Sequence, residues 1–312
     1  MRDLKPDLSL IGARVCRFKD ARDGAQIQNM SINENHSIDS PLLTDLFGAE
    51  PATVHELWKN AATSFGAARH LKILSAYDDN FSEIGAISEK SIRLYATLHN
   101  ADFEVRRNFQ TGRPPAWAKI RYLIDEIRKG EHEFLLWIDA DACFVRGDAD
   151  ILICVRPEKD LFLVNHCVNG GMLTNFPGVH AYFERPNTGV ILARSSRWSL
   201  EFLERVWNKT EYMNHPWWEN AALMAEIGYW QEISHGAKPN QPDQRTLAKI
   251  GWLPLEWNSV PTEVNGEPAG IAQKPIILHF AGMPNESRIR EMRQLQFAPI
   301  PLCAPQMAGD FR

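Results

Sequence analysis

Short apolar runs alternate with segments of helical spacing between residues 71 and 280. A run of about four to eight apolar residues indicates a strand, whereas apolar residues at every third and fourth position indicate a helix. The pattern predicts strands at Leu71–Tyr77, Phe103–Arg106, Phe134–Ile138, Asp160–Val164, Val190–Ala193, Gly251–Trp257 and Lys274–Phe280. It predicts helices after Ser88, from Ile120 to Ile127 with Gly130 as the stop, and at Trp198–Trp207 and Ala221–Ile227. This alternation predicts an α/β fold with a mostly parallel central sheet flanked by helices.

The remaining segments set the expected domain limits. Residues 1–50 are mixed and polar, Thr53–Phe65 has the spacing of a peripheral helix, and the end past Phe297 is rich in proline. We therefore expect a single domain over residues 71–297, with an N-terminal extension over residues 1–70 and a C-terminal tail over residues 298–312. Residues 165–186 are rich in Asn, Gly, His and Pro, a composition that predicts a long loop.

The predicted strand Phe134–Ile138 runs without a break into Asp139-Ala140-Asp141. A continuous apolar run is typical of a strand that is buried on both faces. Residues i and i+2 of an extended chain point the same way, so both carboxylates can face one spot at the carboxyl end of the strand. Such oxygen ligands suit Mg²⁺ or Mn²⁺, which keep water and substrate phosphates in their other positions. The alternative is an edge turn in which one aspartate caps a following helix.

The overall charge and the cysteines narrow the function class. A net charge of −5 and a pI near 6.1 argue against a nucleic-acid surface, which needs a basic field. No window of about 18 apolar residues predicts a membrane span, and the polar start Met1–Leu10 has no signal-peptide core. Five scattered cysteines form no Cys-x-x-Cys pair, so we expect a reducing, cytoplasmic setting. A chain trimmed of a membrane anchor would look the same.

Four motifs occur in a fixed order along the chain. They are the apolar strand into Asp139-Ala-Asp141, Asn187-Thr-Gly189 followed by Ser-x-x-Trp-Ser, Trp218-Glu-Asn220-x-x-Leu, and Leu278-His-Phe-x-Gly282. In this order they resemble the GT-A glycosyltransferases. More narrowly, they are similar to the galactosyl-, mannosyl- and xylosyltransferases of glycosyltransferase family 34, over about residues 71–290. The resemblance implies the Rossmann-like GT-A fold.

The resemblance also implies a chemistry, namely a retaining transferase that uses a nucleotide-diphosphate sugar and Mn²⁺ or Mg²⁺. The donor would be a UDP- or GDP-sugar, and the acceptor a glycan or a small molecule. Asp139 and Asp141 match the family's Asp-x-Asp, in which Asp141 would bind the metal and Asp139 would reach the ribose, or the metal through water. His279 matches the third metal ligand. Taken alone, His279 could equally be a hydrogen-bonded histidine at a strand end.

The resemblance assigns catalytic roles to Asn187, Glu219 and Asn220. Asn187 and Gly189 would lie beside the sugar and the acceptor, although a turn that enters a strand explains them as well. Glu219 and Asn220 match positions near the anomeric carbon, where they would stabilise an oxocarbenium-like centre. The family carries Asp-x-Gln or Asp-Gln there, so Glu-Asn is a departure that leaves their individual roles open.

Four further residues match the donor-binding positions of this fold. Tyr77 would stack on the nucleotide base and Asp78 would accept a hydrogen bond from it, whereas Lys119 and Arg288 would contact the diphosphate. The alternatives are a strand-end aromatic packed on the core for Tyr77 and solvated surface cations for Lys119 and Arg288. The pair Trp217-Trp218 could line an acceptor groove or be buried.

Two other function classes use similar features. The haloacid-dehalogenase-type phosphatases also place Asp-x-Asp after an apolar strand, but on the first strand and followed by Gly-Thr or similar, whereas Ala142-Cys143-Phe144 follows here. A non-catalytic carbohydrate-binding protein would account for the ten tryptophans and the acidic residues. Such proteins are mostly all-β, which disagrees with the predicted alternation of strands and helices.

Overall fold

The structure of the chain is a computed structural model, and it describes residues 71–172, 180–229 and 243–295. The predicted N-terminal extension, with its helix at Thr53–Phe65, and the predicted tail at residues 298–312 lie outside the described residues. The division of the chain into these segments therefore stays a prediction.

The described residues form strands and helices with the following bounds. The strands are β1 Leu71–Tyr77, β2 Asp102–Arg107, β3 Phe134–Ile138, β4 Ala142–Phe144, β5 Leu161–Met172, β6 His180–Arg194, β7 Ile250–Leu253, β8 Val260–Val264, β9 Glu267–Gly270 and β10 Ile277–His279. The α-helices are α1 Ser82–Leu98, α2 Ala118–Lys129, α3 Arg197–Trp207, α4 Trp218–Ile227, α5 Gln244–Leu247 and α6 Asn285–Gln294.

Six strands build the central sheet in the order β2-β1-β3-β6-β5-β7. The pairs β1–β2, β1–β3 and β5–β7 are parallel, whereas β6 is antiparallel to both of its neighbours. One strand of the six therefore runs against the others. The predicted α/β class with a mostly parallel sheet between helices is confirmed.

Strand β3 shows why the sheet needs helices on both faces. Phe134, Leu136 and Ile138 belong to an apolar layer that also contains residues of α1, whereas Leu135 and Trp137 belong to a second layer with residues of α2 and α3. All five β3 residues are buried. Each side chain removed from water adds about 1.5–3 kcal/mol to the driving force for folding. The unbroken apolar run is thus explained by burial on both sides.

The prediction of a long loop at residues 165–186 is wrong for those of its residues that the structure describes. Residues up to Met172 continue β5 and residues from His180 begin β6, and the two pair in antiparallel fashion with shifts in register. Polar residues occur there because much of this ribbon is only partly buried. Partly exposed paired strands do not need the apolar runs by which a central strand is identified.

Other boundaries differ by a few residues, and helices α5 and α6 and the short strands β4, β8 and β9 were not predicted. Helix α1 begins at Ser82 rather than after Ser88, and β7 ends at Leu253 because Pro254 interrupts the predicted strand. Helix α6 was not predicted because its composition is almost entirely polar; it buries Arg288 and Met292.

A small strand pair completes the edge where the candidate site lies. After Asp141 the chain forms β4, which pairs antiparallel with β10 so that His279 is opposite Ala142. The backbone N–H of Phe280 donates to the carbonyl oxygen of Asp141 at 2.9 Å. This pairing brings His279 to the carboxyl end of β3. No helix among the described residues has the length and the apolar content needed to cross a membrane.

Candidate active site

The three side chains predicted to bind a metal lie together. Potential ligand atoms of Asp139, Asp141 and His279 are all within 4.8 Å of one another. The Nε2 atom of His279 is 3.4 Å from Oδ1 of Asp141 and 3.8 Å from Oδ2 of Asp139. Bonds of about 2.1 Å to a common ion allow ligand atoms up to about 4.2 Å apart, so these two separations fit one cation. Two carboxylates and an imidazole are also ligands that suit Mn²⁺.

The imidazole of His279 lies close against Gly189. A Cβ atom added at Gly189 would come within 2.0 Å of the Cε1 atom of His279. The glycine of the Asn-Thr-Gly motif is therefore required because the histidine occupies the space of a side chain. Its carbonyl oxygen also accepts the backbone N–H of Asp139 at 2.8 Å, which ties β6 to the Asp-x-Asp turn.

A buried arginine holds Asp141. The Nη2 atom of Arg288 is 3.3 Å from Oδ2 of Asp141, its Nε donates to the carbonyl of Phe280 at 3.1 Å, and Nη1 donates to Asn285 at 2.8 Å. Burial alone would raise the pKa of Asp141, but His279 and Arg288 outweigh it and hold that pKa below its ordinary value. Arg288 is thus part of the site and not a solvated surface cation.

Lys119 is also buried, and it joins two carboxylates. Its Nζ atom is 2.8 Å from Oδ1 of Asp139 and 2.8 Å from Oε1 of Glu219. Burial lowers the pKa of Lys119, but the two carboxylates more than compensate and raise it above its ordinary value. The indole Nε1 of Trp137 donates a further hydrogen bond to Asp139 at 2.6 Å. The alternative of a solvated surface cation is excluded by the burial of Lys119, and its contact with a diphosphate stays a prediction.

Glu219 and Asn220 approach the same spot from the start of α4. The hydroxyl oxygen of Thr188 is 3.0 Å from Oε1 of Glu219 and 2.9 Å from Oδ1 of Asn220, and the backbone N–H of Thr188 also donates to Asn220 at 2.9 Å. The second carboxylate oxygen of Glu219, Oε2, is buried and has no hydrogen-bond partner among the described residues. Burial and the nearby Asp139 raise the pKa of Glu219, although Lys119 opposes this.

The two tryptophans before Glu219 are not a buried pair. The ring of Trp217 lies beside the guanidinium of Arg185, whose Cζ is 3.7 Å from the ring centroid. Trp218 is 43% exposed and has a φ of 42°, in the left-handed region that costs a non-glycine residue about 1–2 kcal/mol. This strained turn directs Glu219 into the interior.

The residues predicted to hold a nucleotide base lie at the end of β1. The Tyr77 ring is buried against Gly85 of α1, where an added Cβ would be 2.2 Å from the ring, and its hydroxyl donates to Glu89 at 2.9 Å. Asp78 accepts the backbone N–H of Phe81 at 3.1 Å. Tyr77 thus has the packing of a core aromatic, and base binding by Tyr77 and Asp78 stays a prediction.

Two residues of the site were missed in the sequence. Thr188 connects Lys119, Glu219 and Asn220, and Asn258 contacts both His279 and Asn187. Thr188 lies inside a motif that was identified, so its position could have been included. Asn258 follows Trp257 in a short 3-10 turn, and nothing in its local sequence indicates a contact with residues so distant in the chain.

Comparisons with known proteins give matches at the level of structure alone. No family model matches the chain, and no curated protein matches its sequence. A glycosyltransferase involved in glycosylation of the major capsid of PBCV-1 matches with 15% sequence identity and a TM-score of 0.48. The match covers 72% of this chain and 98% of that chain. The galactosyltransferase LgtC matches with 14% sequence identity and a TM-score of 0.40, and the match covers 73% of this chain and 98% of that chain.

A third match is the glycosyltransferase GlyE of Streptococcus pneumoniae, with 13% sequence identity and a TM-score of 0.42. This match covers 74% of this chain and 62% of that chain. All three are named as glycosyltransferases. Their TM-scores lie below 0.5, so these likenesses decide nothing about the chemistry of this chain.

Proposed function

We propose that the protein is a metal-dependent glycosyltransferase that moves a hexose or pentose from a UDP- or GDP-sugar to an acceptor hydroxyl. The acceptor would be a glycan or a small molecule, and the anomeric configuration would be retained. The observation that carries the proposal is the convergence of Asp139, Asp141 and His279, although more than a hundred residues separate the histidine from the two aspartates along the chain. The order of the four sequence motifs supports it, because each motif contributes a residue to this one site.

Asp139, Asp141 and His279 would hold Mn²⁺ or Mg²⁺. When bound, such an ion neutralises the charge that develops on a departing nucleoside diphosphate. Asp141 would hold the ion through Oδ1, while Arg288 contacts its other oxygen. Arg288 would thereby orient a metal ligand, and its guanidinium also suits a diphosphate contact.

Glu219 would face the sugar. Its unpartnered oxygen Oε2 has lost its hydration without gaining a hydrogen bond, which costs about 1–3 kcal/mol unless a ligand supplies a partner. A sugar hydroxyl, or the positive charge at an anomeric carbon, would supply one. Lys119 keeps the other oxygen of Glu219 in place, so the carboxylate is oriented before a substrate arrives.

Transfer would proceed on one face of the sugar. The bond from the anomeric carbon to the phosphate oxygen breaks, the acceptor hydroxyl oxygen bonds to that carbon, and the departing phosphate oxygen takes the hydroxyl proton. Asn187 and Asn220 lie next to Thr188 and Glu219, where side-chain amides can hydrogen-bond sugar hydroxyls. No separate protein nucleophile is needed in this scheme.

A thermal-shift panel tests the donor class. UDP-, GDP- and CDP-sugars would be added with and without Mn²⁺, and a ligand at about 100 times its Kd should stabilise the fold by about 2.7 kcal/mol. We expect stabilisation by a UDP- or GDP-sugar that requires the metal. Hydrolysis of phosphomonoesters without nucleotide-sugar binding would instead favour a phosphatase, and glycan binding without a nucleotide would favour a carbohydrate-binding protein.

The variant Asp141→Ala tests the role of the metal in donor binding. We expect it to abolish Mn²⁺-dependent nucleotide binding, measured by calorimetry, because the ion loses a carboxylate ligand. Asp148→Ala is the matched control, since Asp148 pairs with Arg146 at the surface and should leave binding unchanged. Unchanged nucleotide affinity in Asp141→Ala would count against the proposed function.

A further inference from the structure

Asn258 lies beneath the candidate metal centre and is completely buried. Its Oδ1 atom is 2.9 Å from Nδ1 of His279, and its Nδ2 atom is 2.8 Å from Oδ1 of Asn187. Its backbone oxygen is 2.7 Å from Nε2 of His166. One residue of the turn between β7 and β8 therefore contacts two histidines and the Asn-Thr-Gly motif.

The directions of these hydrogen bonds follow from one backbone group. The N–H of Gly189 can only donate, and it lies 2.8 Å from Oδ1 of Asn187, so the group of Asn187 that faces it is the oxygen. That same oxygen faces the side chain of Asn258, which must present its NH₂ group. The oxygen of Asn258 consequently faces His279, where it accepts a hydrogen bond.

This chain of bonds decides which nitrogen of His279 carries a proton. An amide oxygen has no proton to give, so Nδ1 of His279 must be the donor. In the neutral ring the second nitrogen, Nε2, then has a free lone pair. It is this nitrogen that faces Oδ1 of Asp141 and Oδ2 of Asp139.

We propose that Asn258 is a positioning residue that locks His279 in the tautomer with a proton on Nδ1, so that Nε2 is presented to the two aspartates. The metal-binding part of this inference rests on the proposed function, whereas the tautomer does not. A partner on the far nitrogen of a ligating histidine orients the ring and raises its basicity. The close contact with Gly189 restricts the same ring at a second point.

The structure supplies an internal control in His166. Its Nε2 faces the backbone carbonyl oxygen of Asn258, which only accepts, so Nε2 carries the proton in His166. Burial lowers the pKa of His166 to about 4, and this ring is therefore neutral at pH 8. His166 and His279 both contact Asn258, and they are thus expected to be opposite tautomers. Only one of them depends on the side chain of Asn258.

Long-range ¹H–¹⁵N correlation spectra of the metal-free protein at pH 8 test the tautomers directly. We expect His279 to show a proton on Nδ1 and His166 a proton on Nε2, with signals assigned from His279→Gln and His166→Gln. A wild-type His279 with its proton on Nε2 would overturn the inference. The spectra need no metal and no substrate, so the result does not depend on the proposed function.

Asn258→Leu tests the lock itself, because leucine has a similar shape and forms no hydrogen bond. We expect the single tautomer of His279 to be lost, that of His166 to be kept, and Mn²⁺ affinity measured by electron paramagnetic resonance to fall about 10- to 100-fold. Asn208→Leu, at an exposed helix end, is the control and should change neither. If His279 keeps one tautomer in Asn258→Leu, the lock is disproved.

A failure of the proposed function can be distinguished from a failure of the tautomer lock. Wild-type tautomers as expected, without any binding of Mn²⁺, would refute the proposed function and leave the assignment of His279 intact. Binding of Mn²⁺ by a protein whose metal-free His279 carries its proton on Nε2 would refute the lock and leave the proposed function intact. If Asn258→Leu does not fold, the wild-type spectrum alone decides the tautomer.

Discussion

Two groups of charged side chains, each built around a buried carboxylate, lie at opposite ends of helix α2, and they are built differently. The support cluster is Lys72, Glu104, Arg106, Glu126 and Lys129. The site cluster is Lys119, Asp139, Asp141, Glu219, His279 and Arg288. Lys119 is in the first turn of the helix and Glu126 in the last, so one element contributes to both.

In the support cluster every oxygen of the buried carboxylate has a cation. Oε2 of Glu126 is 2.9 Å from Lys72, and Oε1 is 2.9 Å from Arg106 and 2.6 Å from Lys129. A buried carboxylate with partners on both oxygens can offset much of its lost hydration. This cluster has no need of a ligand, and we assign it a structural role.

In the site cluster the charges are not matched. Three carboxylates, of Asp139, Asp141 and Glu219, face the two permanent cations of Lys119 and Arg288, and one oxygen of Glu219 has no partner among the described residues. Burying an uncompensated polar group is costly. The comparison shows that this chain can saturate buried charges, so their incomplete pairing at the site is best explained by a ligand that completes it.

The same substitution in each cluster gives the largest contrast. Lys119→Met should lower the free energy of unfolding by about 4 kcal/mol, because Asp139 and Glu219 lose the cation between them. Lys72→Met should cost only about 1–2 kcal/mol, since Glu126 keeps Arg106 and Lys129. Urea denaturation of both variants without metal measures the difference, and equal losses would remove the distinction between the clusters.

A methyl group at Gly189 should affect the site without comparable damage to the support cluster. Gly189→Ala would push the His279 ring away, and we expect Mn²⁺ affinity to fall about 10- to 100-fold. Gly251→Ala is the matched control, because an added Cβ there would be 2.3 Å from Phe162 and away from the site. It should lower stability and leave metal affinity unchanged. A loss of affinity in both variants would point to a general packing effect.

The smallest expected effect is on the pH dependence of stability, which should have opposite signs in the two clusters. Burial raises the pKa of Glu104, but Lys72 and Arg106 outweigh it and lower that pKa to about 2. Its stabilisation is therefore present above pH 4.5 and is lost as the pH falls toward about 2. Solvent screens this partly exposed group, so the loss should be modest.

For Glu219 the sign is reversed. Burial and Asp139 raise its pKa, so the folded protein holds this proton more tightly than the unfolded chain, and stability falls as the pH rises from 4.5 through the raised value. The free energy of unfolding would be measured as a function of pH with a chelator present. We expect Glu104→Gln to remove the loss of stability at low pH, and Glu219→Gln to remove the loss of stability as the pH rises. The same slope in both variants would contradict the comparison.

The sequence identified the parts of the site that lie next to a strong strand signal. Asp139 and Asp141 could be placed because five apolar residues precede them, whereas His279, at the end of an apolar run, was assigned to the metal through the resemblance. Lys119 was placed at the site through the resemblance alone, since the sequence does not show whether a long cationic side chain turns inward. Asn258 was missed because its partners are brought near only by the tertiary fold, whereas Thr188 could have been included from its place between Asn187 and Gly189.

The same limit explains the wrong prediction at residues 165–186. Strands β5 and β6 extend past the buried part of the sheet as a ribbon held by backbone hydrogen bonds, and backbone bonds leave no hydrophobic pattern. The C-terminal part of β6 was predicted because Val190 to Ala193 are buried. Burial, and not strand formation as such, is what the sequence pattern reports.

The pairing of β4 with β10 has a consequence for the order of events during synthesis. A ribosome releases the two aspartates long before the histidine, and helix α6, which carries Arg288, emerges later still. A nascent chain halted before Ile277 would contain all six strands of the central sheet but only the two aspartates of the proposed ion-binding centre. Under the proposed function, capture of a cation by all three side chains would therefore mark a polypeptide in which β10 has already paired with β4.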